Sequence, residues 1–149
     1  MVSGVDLLVI DANIAVKWVT DEPDHDIAIS LYNDTIRSGR AIVTPYHFDG
    51  EVANAIWRKA FRGLISLDAA FLALDAFGSF ETVALAPDGL LRTGFEISRS
   101  LGAAAVYDAL YVALAEIVGC ELWTADSRLL NAASALPVEI RLLSTYSGL

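Results

Sequence analysis

The stretch Val106-Tyr-Asp-Ala-Leu-Tyr-Val-Ala-Leu-Ala-Glu-Ile-Val-Gly-Cys-Glu-Leu-Trp-Thr-Ala-Asp-Ser-Arg-Leu-Leu130 holds the pattern from which the fold is read. Val106–Val118 is apolar on nearly every side, so it predicts a helix buried on most of its faces. Glu121–Thr124 predicts a short strand ending near Asp126, and Ser127–Ala133 a short helix. Working outward, Leu90–Leu101 predicts a helix, separated from the next by Gly102 and a run of alanines, and Val138–Leu143 a last strand. Towards the N-terminus the alternation repeats. Val5–Ile10 predicts a strand ending at Asp11, Asp24–Ser38 a helix, Arg40–Thr44 a strand closed by Pro45, and His47–Arg62 a long helix stopped by Gly63. Ser66–Phe77 predicts a helix capped by Ser66 and ended by Gly78, followed by a strand over Thr82–Leu85. Strands alternating with helices imply an α/β protein with a mainly parallel central sheet and helices on both faces. Ligand sites in such sheets lie beyond the carboxyl ends of the strands.

The 149 residues suit a single domain over 1–149. A hydrophobic fraction of 55% and a mean hydropathy of +0.50 predict a well-filled interior, with apolar surface left for a partner. No apolar run reaches the roughly 18–20 residues of a membrane span. The run from Met1 to Ile10 has no basic start and is about strand length, which argues against a signal peptide. The single cysteine, Cys120, excludes an intrachain disulfide and fits a reducing cytoplasm. The net charge of −9 argues against a polyphosphate partner, unless several carboxylates gather around divalent cations, which invert the local field.

Four acids stand out. Asp11 and Asp126 follow strands, where the sheet rule places a site; each can equally be a helix N-cap. Glu51 lies in the first turns of its helix and shares a face with Ala55, Arg58 and Arg62. That stripe suits either a solvated surface or a metal site beside a phosphate track. Asp108 opens an otherwise apolar helix, where a charge needs a partner: a cap or a metal. Hard cations such as Mg²⁺ or Mn²⁺ take oxygen ligands. Two of them can align an attacking water and steady the leaving oxygen of a phosphodiester.

These residues also carry a resemblance. "LLVIDANIAVKW" is similar to the opening of PIN domains, where a strand delivers an Asp and a small polar residue follows, here Asp11 and Asn13. "TPYHFDGEVANAIWR" resembles the family's second motif, and "VYDALYVALAEIVGCELWTADSRLL" its third and fourth. The resemblance runs from Leu7 to about Leu143. It implies a PIN-like fold in which Asp11, Glu51, Asp108 and Asp126 are catalytic and hold Mg²⁺ or Mn²⁺, with Asn13 and Thr124 as supporting polar residues. It further implies a VapC-like toxin: a cytoplasmic, homodimeric ribonuclease restrained by a cognate antitoxin, leaving 5′-phosphate and 3′-hydroxyl ends. Arg58, Arg62 and Lys17 are expected to contact RNA phosphates. The helices within Ile27–Ile36 and Ile56–Leu74 are candidates to grip the antitoxin.

Rival chemistries fit less well. His25 and His47 show no repeated metal-ligand spacing and are expected in surface or loop roles. Trp18, Trp57 and Trp123 are expected in core or interface positions. A dehalogenase-like phosphatase would want a second Asp where Asn13 stands. No Walker A or GxGxxG element is present. The alternative outside enzymes is an inactive PIN-fold module that binds RNA or protein.

Overall fold

The computed structural model describes residues 4–148. The domain expected over 1–149 is therefore described except at residues 1–3 and 149. Five strands form one all-parallel sheet in the order β3-β2-β1-β4-β5: β1 (Leu7–Ile10), β2 (Ala41–Thr44), β3 (Val83–Ala84), β4 (Glu121–Thr124) and β5 (Ile140–Leu142). Central β1 pairs Leu8 with Ile42 on one side and Val9 with Leu122 on the other. Leu8, Val9 and Ile10 are each 0% exposed. Successive strand residues point to opposite faces, so three fully buried in a row mean that both faces are covered.

Seven helices complete the described chain: α1 (Ala12–Val19), α2 (His25–Arg37), α3 (Phe48–Phe61), α4 (Leu67–Phe77), α5 (Leu90–Leu101), α6 (Tyr107–Val118) and α7 (Ser127–Ala132). Most lie within one or two residues of the expected bounds. Ser66 caps α4 as predicted, its Oγ accepting from the Ala69 amide at 3.1 Å. The end strands are shorter than expected: β3 keeps two residues of Thr82–Leu85, and β5 three of Val138–Leu143. Edge strands have a neighbour on one side only, and β5 turns directly into a 3-10 turn over Leu143–Thr145.

Helix α1 is absent from the sequence expectations. Its β-branched Ile14, Val16 and Val19 are poor helix formers. Tertiary burial overrides that preference, enclosing Ile14, Ala15, Val16 and Trp18 against α2, α3 and α4. The apolar reading of the quoted stretch holds: Ala109 to Ala115 of α6 are all buried. Gly119 then adopts φ 72° and turns the chain into β4, a backbone region open to glycine at little steric cost. Among the described residues no helix is long and apolar enough to cross a membrane.

Candidate functional site

The carboxyl ends of β1 and β4 lie side by side, tied by the Asp11 amide donating to the Trp123 carbonyl at 3.0 Å. This brings together two of the acids separated by most of the chain. Asp11 occupies the N-cap position of α1, yet its side chain makes no capping bond. Instead Asp11 Oδ2 accepts from Thr124 Oγ1 at 2.9 Å and from Asn13 Nδ2 at 3.1 Å. Asn13 Nδ2 also reaches Thr124 Oγ1 at 3.2 Å, and Asn13 Oδ1 accepts from the Ala125 amide at 3.0 Å. The Asp126 amide donates to Thr124 Oγ1 at 3.1 Å. Asn13 and Thr124 thus lock the two strand ends into one polar frame.

Asp126 does cap its helix. Its Oδ1 accepts from the Arg128 amide at 2.9 Å, and the Arg128 guanidinium lies 3.3 Å away. Both readings of this acid therefore stay compatible, because a cap uses one carboxylate oxygen. Asp108 stands in the first turn of α6, but Val106 is the cap position and Asp108 makes no cap. Glu51 is in the first turn of α3. Its Oε1 accepts from the Tyr111 hydroxyl at 3.2 Å and lies 2.7 Å from His47 Nε2. The histidine contact lacks hydrogen-bond alignment and is an ion pair when the ring is protonated.

Electrostatics couples the acids. Asp11 is only 3% exposed. Burial, opposed by the Thr124 hydrogen bond and reinforced by the charges of Asp108 and Glu51, raises its carboxyl from 3.8 to about 7. Partial burial, then the charges of Glu51 and Asp126, also raises Asp108 above the ordinary carboxylate value, with His47 and Arg128 acting the other way. Among the described residues no three His, Cys, Asp or Glu side chains form a ready-made chelate. An all-oxygen donor set that resists carrying its full negative charge fits a hard divalent ion.

Beside Asn13 and Asp126 opens a cleft of about 460 Å³, lined further by Lys17, Glu22, Lys59 and Arg128. Both lysines of the chain line it. Lys59 pairs with Glu22 at 3.4 Å, and Lys17 Nζ donates to the Pro23 carbonyl at 2.9 Å. Arg58 and Arg62 are exposed on and just beyond α3 and do not line this cleft.

His47 lies in a loop as expected, in the turn before α3, but not at the surface: its ring is largely enclosed against Tyr107 and Tyr111 of α6, at centroid distances of 5.2 and 4.9 Å. Tyr111, Lys59 and Arg128 were not singled out in the sequence. The available signal was spacing: Tyr111 follows Asp108 by three residues, which puts both on one face of α6. Trp18 and Trp123 are buried as expected, while Trp57 is 55% exposed. With Leu67 and Phe71 it lines an apolar groove between α3 and α4. On α2, Ala28 and Leu31 are buried and Ile27 and Ile36 pack on the core, which leaves the α3–α4 groove as the open apolar face of the two expected partner segments.

A parallel α/β sheet with carboxylates at adjoining strand ends defines an α/β domain with an acid-centred site. The PIN domain family matches residues 8–135, and the chain belongs to that family. Ribonuclease VapC3 of Pyrobaculum aerophilum is 38% identical over 88 residues, which is 58% of this chain and 66% of the relative. The match thus spans just under two thirds of that relative's length. PAE2754 from Pyrobaculum aerophilum superposes with a TM-score of 0.63 at 26% identity, covering 91% of this chain and 90% of its own. VapBC2 from Rickettsia felis, bound to a DNA fragment from its promoter, also gives 0.63 at 16% identity, over 91% of this chain and 98% of that one. At that identity it is evidence of shared fold.

Proposed function

We propose that this PIN-domain chain is a Mg²⁺- or Mn²⁺-dependent endoribonuclease of the VapC type, the cytoplasmic toxin of a toxin–antitoxin pair. The observation that carries this reading is Asp11. A carboxylate buried at a strand end, held by Thr124 and Asn13 and flanked by two more acids, costs stability in the metal-free fold and makes sense as a ligand. Similarity to a relative named as a ribonuclease supports RNA as the substrate.

Asp11, Glu51, Asp108 and Asp126 would hold the metal, which supplies Lewis-acid neutralisation of the phosphodiester and lowers the pKa of an attacking water. Thr124 and Asn13 orient Asp11, so that one of its oxygens is fixed before any ligand arrives. Arg128 offsets negative charge at Asp126. Lys17, Lys59 and Arg128 give the adjoining cleft the cations that RNA phosphates need, with Arg58 and Arg62 extending the basic track along α3.

The antitoxin is assigned to the α3–α4 groove, whose exposed Trp57 and Phe71 suit an apolar peptide segment. A second copy of the chain is assigned to α5, where Leu91 and Phe95, four residues apart, are 67% and 68% exposed.

The test is partner-free protein incubated with total cellular RNA in Mg²⁺, Mn²⁺ or EDTA, beside Asp11→Asn and Asp108→Asn. Discrete fragments that require metal and both acids are expected. Folded protein that neither binds metal nor cuts RNA would replace this reading with the interaction module.

A further inference from the structure

We propose that Tyr111 is a positioning residue for Glu51, holding that carboxylate in place for the cation. The inference rests on the reading of Glu51 as a site acid and goes beyond it, because Tyr111 is fully buried and acts through Glu51.

Tyr111 is 0% exposed in the middle of α6, and its hydroxyl donates to Glu51 Oε1 at 3.2 Å. His47 Nε2 lies 2.7 Å from the same oxygen, and its ring meets Tyr111 edge-on at 4.9 Å. Glu51 Oε1 is thus held by one hydrogen bond from α6, with the His47 ring lying close by from the turn before α3.

The grip has a physical purpose. Glu51 has three rotatable side-chain torsions, stays partly exposed at 35%, and feels repulsion from Asp11 and Asp108. Left alone, it would gain both entropy and electrostatic relief by swinging into solvent. One O–H donor opposes that swing without adding charge to the cluster. The spacing of Asp108 and Tyr111 on one face of α6 means that a single helix supplies one acid and restrains another. Groups that orient ligands in this way typically carry about 10–100-fold in metal affinity.

The test measures Mn²⁺ binding, by electron paramagnetic resonance and calorimetry, for the parent, Tyr111→Phe, Glu51→Gln and the double variant. Urea melts in EDTA check that each folds. Tyr111→Phe is expected to weaken Mn²⁺ about tenfold, and to add no further loss once Glu51 is Gln. Unchanged affinity in Tyr111→Phe, alongside a loss in Glu51→Gln, overturns the positioning role and leaves the site reading intact. An equal loss in both backgrounds overturns it as well, since Tyr111 would then act through general packing. Unchanged affinity in Glu51→Gln removes Glu51 from the site and this inference with it.

Discussion

Replacing Asp11 by Asn should make the metal-free protein more stable, and more so as pH rises. In the metal-free fold burial raises the Asp11 carboxyl from 3.8 to about 7. The folded value lies above the unfolded one, so between them the folded chain keeps a proton that the unfolded chain has released. The stability linked to this group is complete below the unfolded value and is lost as pH climbs to the folded one. At about 1.4 kcal/mol per pH unit, the interval corresponds to about 4 kcal/mol lost by pH 8. That is a large share of the roughly 5–15 kcal/mol that holds a domain together. Asparagine keeps an oxygen to accept from Thr124 and Asn13 but has no charge to bury. Urea unfolding in EDTA should show Asp11→Asn ahead of the parent by about 4 kcal/mol at pH 8, and by less than half of that at pH 5. Asp108 and Glu51 are present in both proteins, and because their charges couple to Asp11 the difference includes the relief they gain when its charge is removed. Saturating Mn²⁺ should reverse the order at pH 8 by stabilising the parent through binding. A difference that is the same at both pH values would refute the argument, because the cost would then not come from ionising Asp11.

Thr124→Val should cost about 1–3 kcal/mol in urea melts, since it strips a partner from Asp11 and leaves the Asp126 amide unpaired; Thr124→Ser should restore most of it. Asp126→Asn and Asp126→Ala should both abolish RNA cleavage, while only the alanine loses the α7 cap and about 1 kcal/mol of stability. Identical melts would show that the cap contributes nothing. On single-stranded RNA in EDTA, Lys17→Gln and Lys59→Gln should each reduce the slope of log Kd against log salt by about 0.7, and Arg58→Gln with Arg62→Gln by less. A slope indifferent to both lysines would remove the cleft from the RNA path. Phe95→Glu should shift the protein from dimer to monomer in light scattering, and a species unchanged in mass would detach α5 from self-association.

The alternation of strands and helices was legible because hydrophobic periodicity is a local property, and the glycine and proline stops lie next to the elements they end. Asp11 and Asp126 were legible for the same reason: each follows an apolar run, and the parallel-sheet rule converts that into a place. Helix α1 was not, because its β-branched residues disfavour a helix until α2, α3 and α4 bury them. His47 and Tyr111 were not, because their meaning lies in one carboxylate oxygen of Glu51, which in Tyr111's case is supplied by a different helix.

The order of elements other than α1, the PIN-type pattern and the choice of the four candidate acids were therefore set by the sequence itself, since each depends on residue type and spacing. Which donors the oxygens of Asp11 and Glu51 meet was decided by tertiary structure. The polar frame of Asn13 and Thr124, the capping bond of Asp126 and the cleft that gathers both lysines depend on it too. So does the raised Asp11 carboxyl, because burial and Coulomb coupling arise from neighbours distant along the chain and exist only once the sheet has closed around them.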